Sequence, residues 1–264
     1  MRIATFNVNS VRSRLPTLAA WLPSAAPGIV CVQETKVQDA DFPAAELRTL
    51  GYGSSFRGEK TYNGVAVLWR RAPDEVTYGF DDGGPFDETR LAIARFGELW
   101  VVNSYVPQGR EISHPMFQYK LEWFRRLRRL FERRFDAARD LVLWCGDLNV
   151  AAEPQDVHAP QLYEDHVCFH VDARRVFAEC RAWGFVDVFR RFHPEPGQYS
   201  FFDYRTPNAV QRGIGWRLDY VLATPRLAER ASDARIDLTP RLGARPSDHA
   251  PVVAEFDLPG IDRR

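Results

Sequence analysis

Short runs of apolar residues, separated by turns that contain Gly or Pro, recur along almost the whole 264-residue chain. Runs of this length that end at turns are typical of strands buried in a sheet. Such strands must pair with one another and cover their apolar faces, which restricts the chain to a sheet-based fold. The predicted strands span residues 29–32, 65–69, 91–96, 99–105, 141–145, 218–222 and 252–256.

Two segments show helical periodicity instead. Apolar residues recur at helical spacing over 115–135, and Pro115 suits the first turn of a helix. A second helix is predicted over 173–183, closed by Gly184. The alternation over residues 1–7 predicts a further short strand.

The chain shows no Ser- or Pro-rich linker and no repeat, so we predict a single domain over residues 1–258 with a short tail at 259–264. Hydrophobic residues make up 45% of the chain, enough to fill a large core. No apolar run is long enough for a signal peptide or a membrane span, and we therefore expect a cytoplasmic protein.

Charge and cysteine content exclude some classes of function. The formal net charge is +0, so bulk electrostatics do not indicate a nucleic-acid partner, and only local clusters can. No C-x-x-C pair occurs, which makes a structural zinc site an unfavoured interpretation. Reduced thiols, two of them in the core, are expected instead at Cys31, Cys145, Cys168 and Cys180.

Acidic residues follow several apolar runs. Glu34 and Asp147 each end one, and Asp248 lies just before another. A single acid after a strand is commonly a turn former or a helix cap. Several acids at strand ends can instead converge on one pocket at the rim of a sheet sandwich.

Two short motifs sharpen this hypothesis. In Asp147-Leu148-Asn149, an extended backbone would direct the acid and the amide to the same side, with Leu148 facing the core. In the segment 246–249, Asp248 beside His249 could supply a metal ligand and a hydrogen-bond donor from one turn. A lone Asp-His pair is weak evidence, because structural histidines are common.

Seven motifs in order carry a resemblance over nearly the whole chain. The sequence resembles exodeoxyribonuclease III and the related apurinic/apyrimidinic endonucleases of the endonuclease/exonuclease/phosphatase superfamily. The resemblance implies an α/β (α+β) fold, a four-layer, deoxyribonuclease I-like sandwich of two mixed sheets packed face to face and flanked by helices. The matching segments are 5–9, 33–36, 62–66, 103–109, 146–149, 215–220 and 246–251.

The same resemblance assigns roles to individual residues. Asn7, Glu34 and Asp248 would bind Mg²⁺ or Mn²⁺ through hard oxygen atoms. Asp147 would orient or deprotonate the attacking water, while Asn149 and Tyr105 donate hydrogen bonds to the transition-state oxygens. His249 would donate to the phosphoryl oxygen, held protonated by Asp219, although Asp219 could instead satisfy a neighbouring backbone amide.

Substrate recognition rests on narrower matches within residues 199–220. Phe201, Trp216 and Leu218 correspond to an apolar slot for a flipped-out sugar without a base, or they fill the core as aromatic residues beside strands usually do. Phosphate contacts are expected from loop arginines, namely Arg12, Arg14, Arg110, Arg205 and Arg212. The arginines over residues 125–134 of the predicted helix could contact DNA or form a solvated face.

The implied function is that of a metal-dependent DNA-repair phosphodiesterase. It would cut double-stranded DNA 5′ of abasic sites and process 3′ ends by in-line attack of water, and we expect a monomer. Residues 151–172 depart from the commonest pattern, which leaves the balance among these activities open. His158, His166 and His170 in that segment could ligate a metal, but we interpret them as surface histidines. Rival functions are a phosphoesterase acting on RNA, lipid or sugar phosphate, and a catalytically silent DNA-binding module.

Overall fold

The computed structural model describes residues 1–259, and strands and helices are distributed along the whole of that range. The strands are β1 (Arg2–Asn7), β2 (Ile29–Gln33), β3 (Gly53–Arg57), β4 (Val65–Trp69), β5 (Glu75–Tyr78), β6 (Leu91–Phe96), β7 (Leu99–Tyr105), β8 (Leu141–Asp147), β9 (Val186–Asp187), β10 (Asp219–Ala223), β11 (Ala231–Ile236) and β12 (Val252–Phe256). The helices are α1 (Leu15–Ala25), α2 (Ala44–Thr49), α3 (Pro115–Arg134), α4 (Val171–Arg181), α5 (Val188–Phe192), α6 (Pro225–Ala228) and α7 (Thr239–Leu242).

The predicted strands and helices agree closely with these elements. Four predicted strands coincide with β4, β6, β7 and β12, and the remaining ones differ from β1, β2, β8 and β10 by one or two residues at an end. The two predicted helices correspond to α3 and α4. Strands β3, β5 and β11 were not predicted, because these edge strands lie half in solvent and carry many polar residues.

The strands form two six-stranded sheets. Their orders are β11-β12-β1-β2-β4-β3 and β5-β6-β7-β8-β10-β9. One parallel pair lies inside each sheet, β1 with β2 and β7 with β8, and the other pairs are antiparallel. Both sheets are therefore mixed, as expected.

Side-chain alternation along the strands places apolar residues on both faces of each sheet. On β2, Cys31 packs between the two sheets, whereas Val30 and Val32 pack against the helical layer that contains Leu18 and Trp21 of α1. The outer face of the second sheet packs against α3 and α4. The result is the four-layer sandwich predicted from the sequence.

The strand register brings the predicted site residues to one edge of the sandwich. Asn7 is paired with Gln33 at the ends of β1 and β2, so Glu34 follows directly. Tyr105 and Asp219 are both paired with Asp147, one from each neighbouring strand. The parallel pairs thus deliver their carboxyl ends to the same place in both sheets.

A buried polar network joins the sheets below this edge. The Gln33 amide donates to Asn103 Oδ1 at 2.7 Å and to Thr5 Oγ1 at 2.9 Å. The Asn103 amide donates to the backbone carbonyls of Val32 and Ala66, at 3.1 and 3.0 Å. Because these groups come from both sheets, the network fixes the position of one sheet relative to the other.

Two further expectations concern the C-terminal tail and the absence of a membrane span. The predicted boundary between a domain and a tail stays a prediction, and residues 260–264 lie outside the described residues. Within residues 1–259, none of the helices has the length and apolar character that crossing a bilayer requires.

Candidate active site

A cavity of about 470 Å³ lies at the edge where the two sheets deliver their strand ends. Ten of the residues predicted for the site or for phosphate contacts line it, namely Glu34, Tyr105, Asp147, Asn149, Phe201, Arg205, Trp216, Leu218, Asp248 and His249. Asn7 and Asp219 are buried and contact Asp147 and His249. Arg110 is exposed, and its guanidinium lies beside His114 rather than on the cavity wall.

Asn7 connects two carboxylates at the floor of the cavity. Its amide nitrogen donates to Glu34 Oε1 at 2.9 Å and to Asp147 Oδ2 at 2.8 Å. Its amide oxygen accepts the backbone N–H of Asn9 at 3.0 Å. The first sheet thereby orients the acid that ends β8 of the second sheet.

Glu34 carries its negative charge next to a lysine. Lys36 Nζ lies 2.6 Å from Glu34 Oε2. Burial alone would raise the pKa of Glu34, but Lys36 and the Asn7 amide lower it below its ordinary value. The neighbouring Tyr105 stays a phenol, since burial and the charges of Glu34 and Asp147 raise its pKa well above the usual range.

Asp147 occupies the most buried position among the acids of the cavity wall. Gly146 precedes it with φ +141°, and a Cβ there would lie 1.9 Å from the Ser104 carbonyl oxygen, so the β7–β8 contact requires glycine. Burial is the main reason that the pKa of Asp147 rises to about 7, opposed by His249 and assisted by Asp219 and Glu34.

The extended backbone expected at Asn149 is wrong. Asn149 has φ +50°, because its backbone N–H bonds to Asp147 Oδ1 at 3.0 Å and closes a turn. Both side chains still reach the cavity, and Leu148 is buried as expected. The Asn149 amide nitrogen donates to the Val106 carbonyl at 3.0 Å and lies 3.3 Å from Asp147 Oδ2.

His249 forms a buried pair with Asp219. Its Nδ1 lies 2.7 Å from Asp219 Oδ2, so the carboxylate accepts a hydrogen bond from the ring instead of only satisfying a backbone amide. Burial would lower the pKa of His249, but Asp219 and Asp147 raise it to about 10. His249 Nε2 lies 3.8 Å from Asp147 Oδ2, too far for a direct hydrogen bond.

Asp248 is held at the cavity by a hydrogen bond from Asn9. Its Oδ1 accepts a hydrogen bond from the Asn9 amide at 3.0 Å. The Asn9 amide oxygen in turn accepts from Lys36 Nζ at 2.6 Å. A continuous chain of contacts therefore links Asp248 through Asn9 and Lys36 to Glu34.

Two groups of residues could hold a metal ion. Asp147, Asp219 and His249 place ligand atoms within 4.8 Å of one another. In that group, Asp219 and the His249 ring are already engaged with each other, whereas Glu34 and Asp248 offer hard carboxylate oxygens to the same cavity. We favour the second set for a magnesium-like ion because such ions prefer oxygen ligands.

One wall of the cavity is aromatic. The Trp216 ring lies 4.9 Å from Tyr163, 4.7 Å from His166 and 6.5 Å from Phe169, centroid to centroid. The Phe201 ring lies 5.0 Å from the His249 ring. Phe201, Trp216 and Leu218 line the cavity and also pack in the core, as the second interpretation expects, and the slot for a sugar without a base stays a prediction.

The sequence did not identify several residues of this wall. Tyr163, His166 and Cys168 come from the divergent segment, and Gln108 from the loop after β7. His158 also lines the cavity, and His166 is exposed there, as expected of a surface histidine. His170 instead caps α4, where its Nδ1 accepts the backbone N–H of Asp172. No spacing rule marks such residues, because loops converge only in the folded chain.

Arginines near the rim have partners within the protein. Arg205 pairs with Asp203 at 2.7 Å, yet its side chain is 90% exposed and lines the cavity. Arg14 donates to the Tyr204 hydroxyl at 2.8 Å. On α3, Arg126 is buried against acids, and the other arginines of this face lie on the outside of the molecule. This favours a solvated face over a DNA contact for that helix.

Comparison with known proteins places this geometry in a wider group. Residues 4–249 match the Endonuclease/Exonuclease/phosphatase family. The exodeoxyribonuclease III of Haemophilus influenzae is 31% identical over 268 residues, covering 97% of this chain and 100% of that protein. The structure of an AP endonuclease from Archaeoglobus fulgidus has a TM-score of 0.95 and 48% identity, covering 98% of this chain and 100% of its own. A 3′-phosphatase from Neisseria, bound to a product DNA hairpin, has a TM-score of 0.91 and 36% identity, with coverage of 98% and 100%.

The fold and the carboxylate-lined cavity therefore define a phosphoesterase of the endonuclease/exonuclease/phosphatase superfamily. Within that superfamily, the chain belongs to the exonuclease III / AP endonuclease family. This confirms the resemblance drawn from the seven sequence motifs.

Proposed function

We propose that the protein is a DNA-repair nuclease that hydrolyses DNA 5′ of abasic sites and processes 3′ ends. The observation that carries this function is the position of Asp147, held by Asn7 on one side and facing His249 on the other. A proton acceptor and a charged donor thus share one cavity. Relatives that match the whole chain include an AP endonuclease and a 3′-phosphatase bound to product DNA.

Asp147 accepts the proton of the attacking water. Its pKa of about 7 lies near neutral pH, so the carboxylate is a stronger base than an exposed aspartate and is still largely ionised at pH 8. The Asn7 amide holds Oδ2 in place, and the turn at Asn149 holds Oδ1. Rotation of the acid is therefore prevented before substrate arrives.

His249 supplies positive charge to the phosphoryl group. Because Asp219 accepts its Nδ1–H, the Nε2–H remains available on the cavity side. Nε2 and Asp147 Oδ2 are 3.8 Å apart and form no direct hydrogen bond, so each is available to bond to a substrate or a water. Such a charge-assisted bond strengthens as the phosphoryl oxygens gain charge.

Glu34 and Asp248, with Asn7 beside Glu34, would hold Mg²⁺ or Mn²⁺. The ion would supply Lewis-acid polarisation of a phosphoryl oxygen. Lys36 partly neutralises Glu34 in this arrangement, and its ammonium would compete with a bound ion for Oε2. The negative charge of Glu34, which Lys36 offsets in this structure, is the charge that would attract a divalent ion.

Tyr105 and Asn149 stabilise the transition state from the wall. Tyr105 keeps its hydroxyl proton over the physiological range and can donate it in a hydrogen bond. The Asn149 amide nitrogen is bonded to the Val106 carbonyl, so a direct bond to substrate requires exchange of one of its present partners. In the absence of substrate, the hydrogen bonds of Asn149 hold the Asp147 carboxylate in place.

The apolar wall selects the nucleotide without a base. Trp216 and Leu218 are 8% and 4% exposed, and together with Phe201 they form an apolar part of the cavity wall. A normal base would have to be unstacked and accommodated, whereas a baseless sugar costs less to extrude. We expect double-stranded DNA to be held through its phosphates, with Arg205 at the rim and Arg110 on the outer loop, and the enzyme to act as a monomer.

The decisive experiment compares three DNA duplexes in the presence of Mg²⁺, with and without EDTA. They carry an internal abasic analogue, a 3′-phosphate, or a plain recessed 3′ end. We expect EDTA-sensitive hydrolysis, with an Asp147→Asn variant as the control for contaminating nuclease. Absence of EDTA-sensitive cleavage of all three would refute the proposed function, and the rates rank the activities.

A further inference from the structure

Lys120 is a fully buried cation that the mechanism above does not use. It lies on α3 and is 0% exposed, and its ammonium lies behind the residues that line the cavity. Burying an ammonium group is unfavourable unless it is well compensated. Its location therefore calls for a specific set of partners.

Three backbone carbonyls provide that compensation. Lys120 Nζ donates to the carbonyl oxygens of Gln108 at 3.1 Å, Asn149 at 2.6 Å and Val167 at 2.7 Å. An ammonium group has three hydrogens, so the set is complete. No carboxylate has to take part for the hydrogen-bonding capacity of Lys120 to be satisfied.

The three acceptors belong to three different loops of the active site. Gln108 lies on the loop after β7, Asn149 on the loop after β8, and Val167 on the divergent segment before α4. Gln108 and Asn149 line the cavity themselves, and Cys168 lines it directly after Val167. The loops are separated along the chain, and the Lys120 ammonium joins them at one point.

Cys168 completes the attachment of Asn149. Its Sγ lies 3.8 Å from Asn149 Oδ1, so the thiol is placed to donate to the amide oxygen. The amide nitrogen of Asn149 is already bonded to the Val106 carbonyl. Asn149 is thus held at its backbone carbonyl by Lys120 and at its side-chain oxygen by Cys168.

We infer that Lys120 is a positioning residue for hydrolysis, which holds Asn149 and, through it, Asp147 in the reactive arrangement by joining three active-site loops. The inference rests on the proposed function, because it assigns a role within the same site. It also explains what the divergent segment contributes: its carbonyl at Val167 and thiol at Cys168 complete the support of a catalytic side chain.

Arg126 offers a matched control on the same helix. It is a buried cation, 5% exposed, and it bonds to Asp82 and Asp87 on the loop between β5 and β6. Those acceptors do not line the active-site cavity. Lys120→Met and Arg126→Met therefore both remove a satisfied buried cation from α3, but only the first removes the contact with the active-site loops.

The test measures kcat and KM on abasic duplex DNA, at a temperature well below the melting transition of each variant. We expect kcat of Lys120→Met to fall about tenfold or more with KM changed less than about threefold, because positioning errors act on the chemical step. Arg126→Met should keep the wild-type kcat despite a lower Tm. Lys120→Arg, which retains charge and donors, should recover part of the loss. Equal kcat values for Lys120→Met and Arg126→Met would overturn the inference.

A second pair of variants decides the matter if Lys120→Met does not fold. Cys168→Ala removes the thiol beside Asn149, whereas Cys180→Ala removes a buried thiol on α4 that packs in the core. We expect only Cys168→Ala to lower kcat, and equal kcat values would overturn the inference. A wild-type protein that leaves every DNA substrate intact would instead refute the proposed function itself.

Discussion

Two adjacent ionisable side chains have their pKa values shifted upward for different reasons. Burial disfavours the charge of Asp147 and raises its pKa to about 7. At His249, burial acts in the opposite direction, and Asp219 and Asp147 overcome it to raise the pKa to about 10. Between these values, the base is ionised while the imidazole stays protonated, which is the combination that the mechanism needs.

Asp219→Asn tests the origin of the histidine charge. Without the carboxylate, burial should dominate and lower the pKa of His249, so that the imidazole loses its proton within the neutral range. The alkaline limb of the kcat profile should move from near pH 10 toward neutral pH, and activity should partly recover on acidification until Asp147 takes up a proton. A pH–rate series in Mg²⁺ measures this, and an alkaline limb that stays at the wild-type pH would contradict the assigned pairing.

Trp216→Ala tests the apolar slot. Loss of the indole, which is only 8% exposed, enlarges the cavity beside Phe201 and Leu218. We expect kcat/KM for an internal abasic site to fall about tenfold or more, and that for a 3′-phosphate to fall less, because the second substrate needs no flipped-out internal nucleotide. Equal losses on both substrates would show that Trp216 supports the core and not selection.

At the scale of elements, the start of β10 is held by a buried ionic cluster. Arg217 Nε lies 2.7 Å from Asp156 Oδ1, and Arg217 Nη2 lies 2.8 Å from Asp187 Oδ2. Arg190 also pairs with Asp156. Arg217 stands between Trp216 and Leu218 in the chain, so the cluster fixes the backbone that presents both slot residues.

Asp156→Asn tests this cluster through stability. Burial would raise the pKa of Asp156, but Arg217 and Arg190 lower it below its ordinary value. A depressed folded-state pKa contributes stability above the unfolded pKa of about 3.9, and that contribution is lost as pH falls through the folded value. We expect a loss of about 3 kcal/mol at pH 7, since two buried guanidinium groups lose their partner.

The pH dependence of that loss is the informative part. In urea titrations, the difference in unfolding free energy between wild type and Asp156→Asn should be largest above pH 4 and should shrink in more acidic solution. The matched control Asp203→Asn removes a carboxylate whose partner Arg205 is 90% exposed, and it should change stability by less than about 1 kcal/mol. A difference that is constant with pH would contradict the assigned charge state.

At the scale of the whole molecule, the chain ends and the two sheets are joined. β1 is paired with β12, which brings the beginning of the described chain against its last strand. Asn103 of the second sheet donates to carbonyls of Val32 and Ala66 in the first. Each sheet packs its outer face against helices, and one further apolar layer is shared between the two sheets.

This sharing predicts one cooperative unfolding unit. Circular dichroism, which reports the strands and helices, and tryptophan fluorescence, which reports the packing of α1 and α3, should give the same midpoint in urea. Trp21 of α1 packs against the first sheet and Trp144 lies on β8 of the second, so the fluorescence includes both halves. Two separated transitions would show that residues 1–258 do not form a single domain.

The sequence located most strands because strand burial leaves a local pattern, and the family resemblance implied the sandwich that they form. Apolar runs at β4, β6, β7 and β12 could be located to the residue, and the acids that follow or precede strands were visible in the same way. The ordered motifs also contain about half of the residues that line the cavity. Edge strands such as β3 and β5 were not predicted, because their half-exposed faces show no clear alternation of apolar and polar residues.

Only the tertiary structure decided which loops meet behind that wall. Lys120 lies at an apolar-face position of α3, but that spacing does not show which groups its ammonium would bond. Its three acceptors are distant in sequence, and carbonyl groups are the same at every residue. The left-handed turn at Asn149 and the entry of Tyr163 and His166 into the cavity likewise depend on long-range packing, which no local pattern encodes.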